Sequence, residues 1–269
     1  MNKFLGYAIY SDMDNTMLAP DGTIAERNIT ALTRFTDEGG RFAIASGRGP
    51  TQVTYDLLDR LPMVNSPCIF LNGAMLYDAR KRSVLSFVTL PECVRPWLFD
   101  LHRRYPQWPV SVCTESDRFQ IGPDVEKHVT CKPVEDINDP WGKLLLHVSV
   151  DTRETAMQWL REQHIAGVDI TACDTDLVEI VPQGVSKGAA LERVIGMFSL
   201  DRAKVAAAGD YLNDLIMLKT PGIRAFCPEV SAPEVKAVCE KTLCSVYDGV
   251  LADIVEIFEG EIDAAAKAL

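Results

Sequence analysis

Four short apolar runs punctuate the chain, and each gives way to polar or glycine residues. Residues 7–10 (YAIY) end in Ser11-Asp12, residues 42–45 (FAIA) in Ser46-Gly47-Arg48, residues 68–71 (CIFL) in Asn72-Gly73, and residues 204–208 (KVAAA) in Gly209-Asp210. Runs of this length without alternation suit parallel strands covered on both faces. Elsewhere the apolar spacing turns helical: Ile29, Leu32 and Phe35, stopped by Gly39-Gly40; Leu191, Val194, Ile195 and Phe198; and Val250, Leu251, Ile254, Val255 and Phe258. Strand–helix alternation predicts an α/β fold with a doubly wound parallel sheet. Ligands of such sheets bind beyond the carboxyl ends of the strands, so the four polar endings are expected to share one crevice.

Between residues 84 and 182 the texture changes. Pro96, Trp97, Pro106, Trp108, Pro109, Pro133, Pro140 and Trp141 crowd this stretch. Strands are predicted over 143–150 and 176–181, with a helix over 153–165 between them. The expected organisation is a core of residues 1–83 and 183–269 and an inserted α+β domain over 84–182. The Ala-rich tail, residues 263–269, is expected to fray.

Composition narrows the functional classes. A chain of 269 residues buries roughly 70–75% of its unfolded surface and needs no disulfide or metal staple. A formal net charge of −11 argues against nucleic-acid or anionic-membrane partners. An anionic substrate would therefore depend on a few local cations or a bound metal. The eight cysteines (Cys68, Cys93, Cys113, Cys131, Cys173, Cys227, Cys239 and Cys244) form no C-x-x-C, which predicts reduced core thiols in a cytosolic protein. The histidines (His102, His128, His147 and His164) are scattered and show no ligand pattern. No apolar run spans a membrane. The first twelve residues lack a convincing cleavage site, so a cytoplasmic location is expected.

Candidate chemistry begins with Asp12, Asp14 and Thr16, which face one way on extended chain. Two unpaired carboxylates in a crevice repel each other and resist desolvation. A bound cation or a shared proton makes them tolerable; the alternative is a strand end followed by a solvated turn. Asp174 and Asp176 also form D-x-D, but they precede an apolar run and so read as structural. Asp210 follows another strand, and Asp214 opens a helical pattern beside Asn213. Four acids in one crevice point to a hard divalent cation, and Mg²⁺ suits oxygen ligands and a phosphate partner. Lys187 follows Ser186, an apparent N-cap. A lysine in a first helical turn opposes the helix dipole unless an anion binds there or its head reaches water. Ser46 and Gly47 at a strand end can donate to phosphate oxygens. Walker-type, G-x-G-x-x-G, H-E-x-x-H and G-x-S-x-G motifs are absent.

In order, D-x-D-x-T (12–16), Ser46, Lys187 and G-D-x-x-N-D (209–214) resemble the four motifs of the haloacid dehalogenase-like phosphatase superfamily. The stretches ASGR, LNGA and GVSKG, with the long insertion, are similar to its Cof-type branch. The resemblance implies a Rossmann-like core with a large α/β cap of the second type. It implies Asp12 as nucleophile forming an aspartyl-phosphate, and Asp14 as general acid and then base. It further implies Mg²⁺ held by Asp12, Asp210 and the backbone carbonyl of Asp14, with Asp214 orienting its waters. Ser46, Gly47, Lys187 and Asn213 would hold the phosphoryl group, and Thr16 would position Asp14 within that phosphate site. Three features depart from the pattern: Asn15 where Gly is usual, Tyr211 where small residues are frequent, and residues 224–233 in place of a small-residue stretch.

The implied activity is Mg²⁺-dependent hydrolysis of a small phosphorylated metabolite, with a sugar phosphate as the expected class. The partner is that metabolite, and the expected state is a monomer or weak homo-oligomer. Three alternatives stand beside it: a phosphomutase or other phosphotransferase, a receiver-like phospho-accepting signalling module, and a non-catalytic metal- and phosphometabolite-binding protein. Receivers are shorter and lack an acid two residues after the phosphorylated Asp.

Overall fold

The computed structural model describes residues 2–53, 55–123, 130–172 and 176–268. His128, Cys173 and Asp174 lie outside the described residues. In chain order the elements are β1 (Ala8–Ser11), α1 (Glu26–Asp37), β2 (Arg41–Ile44), α2 (Tyr55–Asp59), β3 (Cys68–Phe70), β4 (Met75–Asp78) and β5 (Ser83–Phe87). Then follow α3 (Val94–Arg104), β6 (Val110–Thr114), β7 (Arg118–Ile121), β8 (Thr130–Cys131), β9 (Trp141–His147), α4 (Val150–Glu162), β10 (Val168–Ala172) and β11 (Leu177–Pro182). The chain closes with α5 (Lys187–Phe198), β12 (Val205–Ala208), α6 (Leu215–Leu218), β13 (Arg224–Cys227), α7 (Pro233–Lys236), β14 (Lys241–Thr242) and α8 (Val250–Lys267). Two compact units result: residues 1–47, 54–85 and 186–269, and residues 48–53 with 86–185.

The first unit is built on a parallel sheet of order β14-β13-β12-β1-β2. Every residue of β1 and β12 is buried, which is why neither strand alternates in polarity. The chain winds outward from β1 to β2 on one side and from β12 through β13 to β14 on the other. The winding direction therefore reverses between β1 and β12, the kind of switch point at which α/β sheets bind ligands. Ser11 stands level with Ala208 and with Ile44. The residues that follow, Asp12, Gly209 and Ala45, emerge side by side.

The periodic helices form as expected. Leu32 and Phe35 of α1, Leu191, Val194 and Ile195 of α5, and all five apolar positions of α8 are buried. Gly39, at φ 94°, follows α1 and its cap residue Glu38. One buried polar residue escapes the apolar pattern. Asn28 of α1 accepts backbone N–H bonds from Leu251 (2.9 Å) and Ala252 (3.0 Å). It thereby caps α8, whose own N-cap, Gly249, has no side chain. The Ala-rich tail is not frayed: residues 263–267 continue α8 to Lys267.

The second unit is a six-stranded sheet of order β10-β11-β9-β6-β7-β8, antiparallel except for β7 with β8. Leu98 and Leu101 of α3 and Leu160 of α4 share its core with Val112, Leu144 and Ile180. Alternate positions carry polar groups, including a Lys143–Glu179 ion pair at 2.9 Å. The strand predicted over 143–150 stops at His147, because Ser149 adopts an extended cap conformation and its carbonyl accepts from Thr152 and Arg153. Asp176 precedes β11 and is exposed. The cysteines depart from the core-thiol expectation. Among the described residues Cys68, Cys113 and Cys227 are buried, Cys93 and Cys131 are exposed, and Cys239 and Cys244 are intermediate. No described helix is long and apolar enough to cross a membrane.

Candidate active site

Asp12 follows β1, and its amide donates to the Ala208 carbonyl at 2.8 Å, extending the parallel ladder by one bond. The Ser11 hydroxyl donates to the Asp12 carbonyl at 2.6 Å. The chain then turns sharply. Asn15 sits at φ 58° and its amide donates to the Leu18 carbonyl. Asparagine tolerates this left-handed conformation better than most residues, which accounts for its standing where glycine is usual. Asp14 is half-buried in this turn. Thr16 is buried, and its hydroxyl donates to Asp210 at 3.2 Å. The threonine hydroxyl thus reaches the acid of the neighbouring strand.

The second pair of acids comes from the β12 end. Asp210 follows Gly209, and Asp214 closes the short 3-10 turn Leu212–Asp214. The Asp214 carboxylate accepts the amides of Asp210 (3.1 Å) and Tyr211 (3.3 Å), folding the loop back on itself. Gly209 is required for this closure: a Cβ there would lie 2.6 Å from the Asp214 carboxyl group. Asn213 and the Tyr211 side chain are exposed.

Lys187 opens α5, with Ser186 as the N-cap accepting from the Ala189 amide at 3.0 Å. Its side chain is fully buried. The ammonium donates to Asp12 at 2.5 Å and to Asp214 at 2.6 Å. The N-terminus of α5 also explains the LNGA stretch. A Cβ on Gly73, at φ 106°, would meet the Ser186 carbonyl at 2.1 Å, so only glycine allows that approach. Ser46 is buried beyond β2; its amide bonds Ile69 and its carbonyl accepts from Asn72. Gly47 lies against the Asn72 side chain. Asn72 was not singled out from the sequence. Its signal lies in two consecutive left-handed residues, Leu71 (φ 51°) and Asn72 (φ 53°), and such strain gathers at functional sites.

Among the described residues, Asp12, Asp210 and Asp214 form a group whose carboxylate oxygens lie within 4.8 Å of one another. Asp14 stands outside that group. Burial, reinforced by the charge of Asp214, pushes the Asp12 carboxyl up to about 8 despite Lys187. Burial and Asp214 likewise push Asp210 up to about 6. Burial also disfavours the Lys187 ammonium, but Asp12 and Asp214 outweigh it and hold its pKa above the usual lysine value. These shifts have one origin: three buried carboxylates exceed what one ammonium offsets. With all three ionised, the carboxylates exceed the ammonium by two negative charges, and the donors are hard oxygens. The site therefore fits a divalent cation such as Mg²⁺.

Comparison with known proteins agrees with this geometry. A family model described as haloacid dehalogenase-like hydrolase matches residues 9–255. The chain is 25% identical over 231 residues to the 5-amino-6-(5-phospho-D-ribitylamino)uracil phosphatase YitU of Bacillus subtilis (strain 168), covering 80% of this chain and 84% of that protein. It is 23% identical over 231 residues to the pyridoxal phosphate phosphatase YbhA of Escherichia coli (strain K12), covering 78% and 84%. Among solved structures, a haloacid dehalogenase-like hydrolase from Bacteroides thetaiotaomicron superposes with a TM-score of 0.82 at 21% identity, covering 93% of this chain and 98% of that one.

Proposed function

This chain belongs to the haloacid dehalogenase-like hydrolase family, in its Cof-type branch, and on that premise we propose that it is a Mg²⁺-dependent phosphatase. Its substrate is a small phosphorylated metabolite, of the sugar-phosphate class. The observation that carries the reading is the meeting of Lys187 with Asp12 and Asp214 at the carboxyl ends of β1 and β12. The two phosphatase relatives are named for phosphorylated small molecules, which supports a small phosphorylated metabolite as substrate.

In this reading the Asp12 carboxylate attacks phosphorus and becomes an aspartyl-phosphate while the leaving oxygen departs. Asp14 gives that oxygen a proton, then removes one from the water that hydrolyses the intermediate. Lys187, Ser46 and Gly47 hold the phosphoryl oxygens, with Asn213 at the rim. Thr16 steadies Asp210. Asp12, Asp210, Asp214 and the Asp14 backbone would hold the cation. When bound, it supplies positive charge that lets an anionic phosphoryl group approach an anionic nucleophile. Residues 84–182 form the cap domain in this reading.

The test is phosphate release from a panel of phosphorylated metabolites, with Mg²⁺ and with a chelator. Release that needs Mg²⁺ and disappears in Asp12→Asn and Asp14→Asn supports the reading. Full activity in Asp12→Asn sinks the nucleophile assignment. Transfer to an added hydroxyl compound without free phosphate would make the protein a phosphotransferase instead.

A further inference from the structure

The turn after β3 carries a side chain where the backbone favours none. Leu71, Asn72 and Gly73 stand at φ 51°, 53° and 106°, three left-handed residues in succession. Glycine takes this conformation freely, whereas a residue with a Cβ does so at a cost. The close approach of Gly73 to the Ser186 carbonyl accounts for the glycine there. Asn72 differs from both neighbours. It keeps an amide where glycine would sit more easily, and it alone of the three is partly exposed.

That amide lies over the end of the neighbouring strand. A Cβ on Gly47 would stand 3.0 Å from the Asn72 Oδ1 and 3.5 Å from its Nδ2, so the bare Cα of Gly47 leaves the room that the amide takes. The backbone fixes this approach from two sides. The Asn72 main-chain amide donates to the Ser46 carbonyl at 3.1 Å, and the Ser46 amide donates to the Ile69 carbonyl at 2.8 Å. Opposite, Gly73 rests on Ser186, one residue before Lys187. The turn is thus wedged between Ser46-Gly47 and the start of α5, all within the first unit.

We propose that Asn72 is a further phosphoryl-binding residue, its side-chain amide donating to the anion that Ser46, Gly47 and Lys187 hold, a role that rests on the phosphatase reading above. The donor count at Lys187 calls for such a group. An ammonium has three N–H donors, and two of them already go to Asp12 and Asp214. One is left, while a transferring phosphoryl group presents three oxygens. The Asn72 Nδ2 carries two N–H donors and no charge, so it serves those oxygens without a further buried ion.

A purely local role for the amide leads to the opposite expectation. Asparagine side chains also stabilise left-handed turns by bonding nearby backbone. Aspartate has the same shape and the same tolerance of this conformation, so it would replace asparagine in that role with little loss. It cannot replace a donor to an anion: it would turn a carboxylate toward the phosphoryl oxygens, and like charges repel.

The test measures binding of orthovanadate, which can adopt the five-coordinate shape of a transferring phosphoryl group, by titration calorimetry of the full-length protein with Mg²⁺. Asn72→Gly should keep a Tm close to wild type, because relief of the left-handed strain offsets the added freedom of the unfolded chain. It should bind vanadate about 10- to 100-fold more weakly, the loss expected for one hydrogen bond to a charged group. Asn72→Asp should bind more weakly than the glycine variant, again with a Tm near wild type. Wild-type affinity in Asn72→Gly, or tighter binding by Asn72→Asp than by Asn72→Gly, would overturn the assignment. Should Asn72→Gly lose stability, Asn72→Asp decides alone: affinity near wild type overturns the assignment, and a loss beyond about 100-fold upholds it. A wild-type protein that does not bind vanadate would defeat the phosphatase reading and this inference together. Wild-type binding with an unaffected glycine variant would defeat the role of Asn72 alone.

Discussion

Lys187 and Asp12, 175 residues apart in the chain, meet at 2.5 Å in the buried centre of the first unit. The contact joins the first turn of α5 to the carboxyl end of β1, and Asp214 completes it from the β12 side. One ammonium thus sits between the candidate nucleophile and a candidate metal-site acid.

Replacing this lysine should damage stability as well as chemistry. In Lys187→Met, Asp12 and Asp214 remain buried without their counter-ion, and breaking such a pair costs about 3–5 kcal/mol. Chemical denaturation without metal should show a loss of that order. Phosphate release should fall at least about 100-fold, as for loss of a charged group that stabilises a transferring phosphoryl group. Near-wild-type stability in this variant would contradict the charge arrangement described here.

The metal-free protein should lose stability as pH rises. Asp210 is held at about 6 and Asp12 at about 8, both above their ordinary values. A carboxyl whose folded pKa is raised contributes stability below its unfolded pKa and loses that contribution as pH rises through the folded one. Between about pH 4 and 8, the window set by those values, the Tm measured with a chelator should fall from this contribution. Mg²⁺ competes with the protons, so the Tm rise it produces should grow over the same range. A Mg²⁺ effect that is flat with pH would count against the acidic cluster as the binding site.

Gly209→Ala tests the loop closure. The added methyl would stand 2.6 Å from the Asp214 carboxyl group, so the loop must shift at a cost of about 1–3 kcal/mol. Mg²⁺ affinity, read by titration calorimetry, should weaken even though no ligand atom is removed. Wild-type affinity would show that the close approach of Gly209 and Asp214 has no bearing on metal binding.

Asn28→Ala tests a scaffold contact separate from the site. Leu251 and Ala252 would lose the side-chain acceptor that caps α8, which should cost about 1–2 kcal/mol. The thermal midpoint should drop while kcat at permissive temperature stays near wild type. A kcat loss matching that of Lys187→Met would show that the site depends on the α1–α8 contact.

Much of the fold could be read along the chain because its signals are local. The four apolar runs became strands, and the helical spacings of residues 187–198 and 250–258 became buried faces. Polar strand ends placed Asp12 and Asp210 where a parallel sheet binds ligands. Other features lay beyond that kind of reading. Nothing in the apolar period marks Asn28, because its role depends on the N-terminus of a helix more than 200 residues away. The strand predicted through Val150 failed because Ser149 favoured a helix cap over continued pairing. The cysteines were expected as core thiols, yet Cys93 ahead of α3 and Cys131 at the end of β8 are exposed.

By itself the sequence determined which segments become strands and helices, and which acids, lysine and glycines stand at their ends. Those outcomes follow from periodicity, backbone preference and burial, which act over a few neighbouring residues. Only the tertiary structure decided that Lys187 bridges Asp12 and Asp214 and that Thr16 bonds Asp210. Charge and hydrogen-bond contacts are set by distance in space, and sheet register brings residues together across separations that no local pattern encodes.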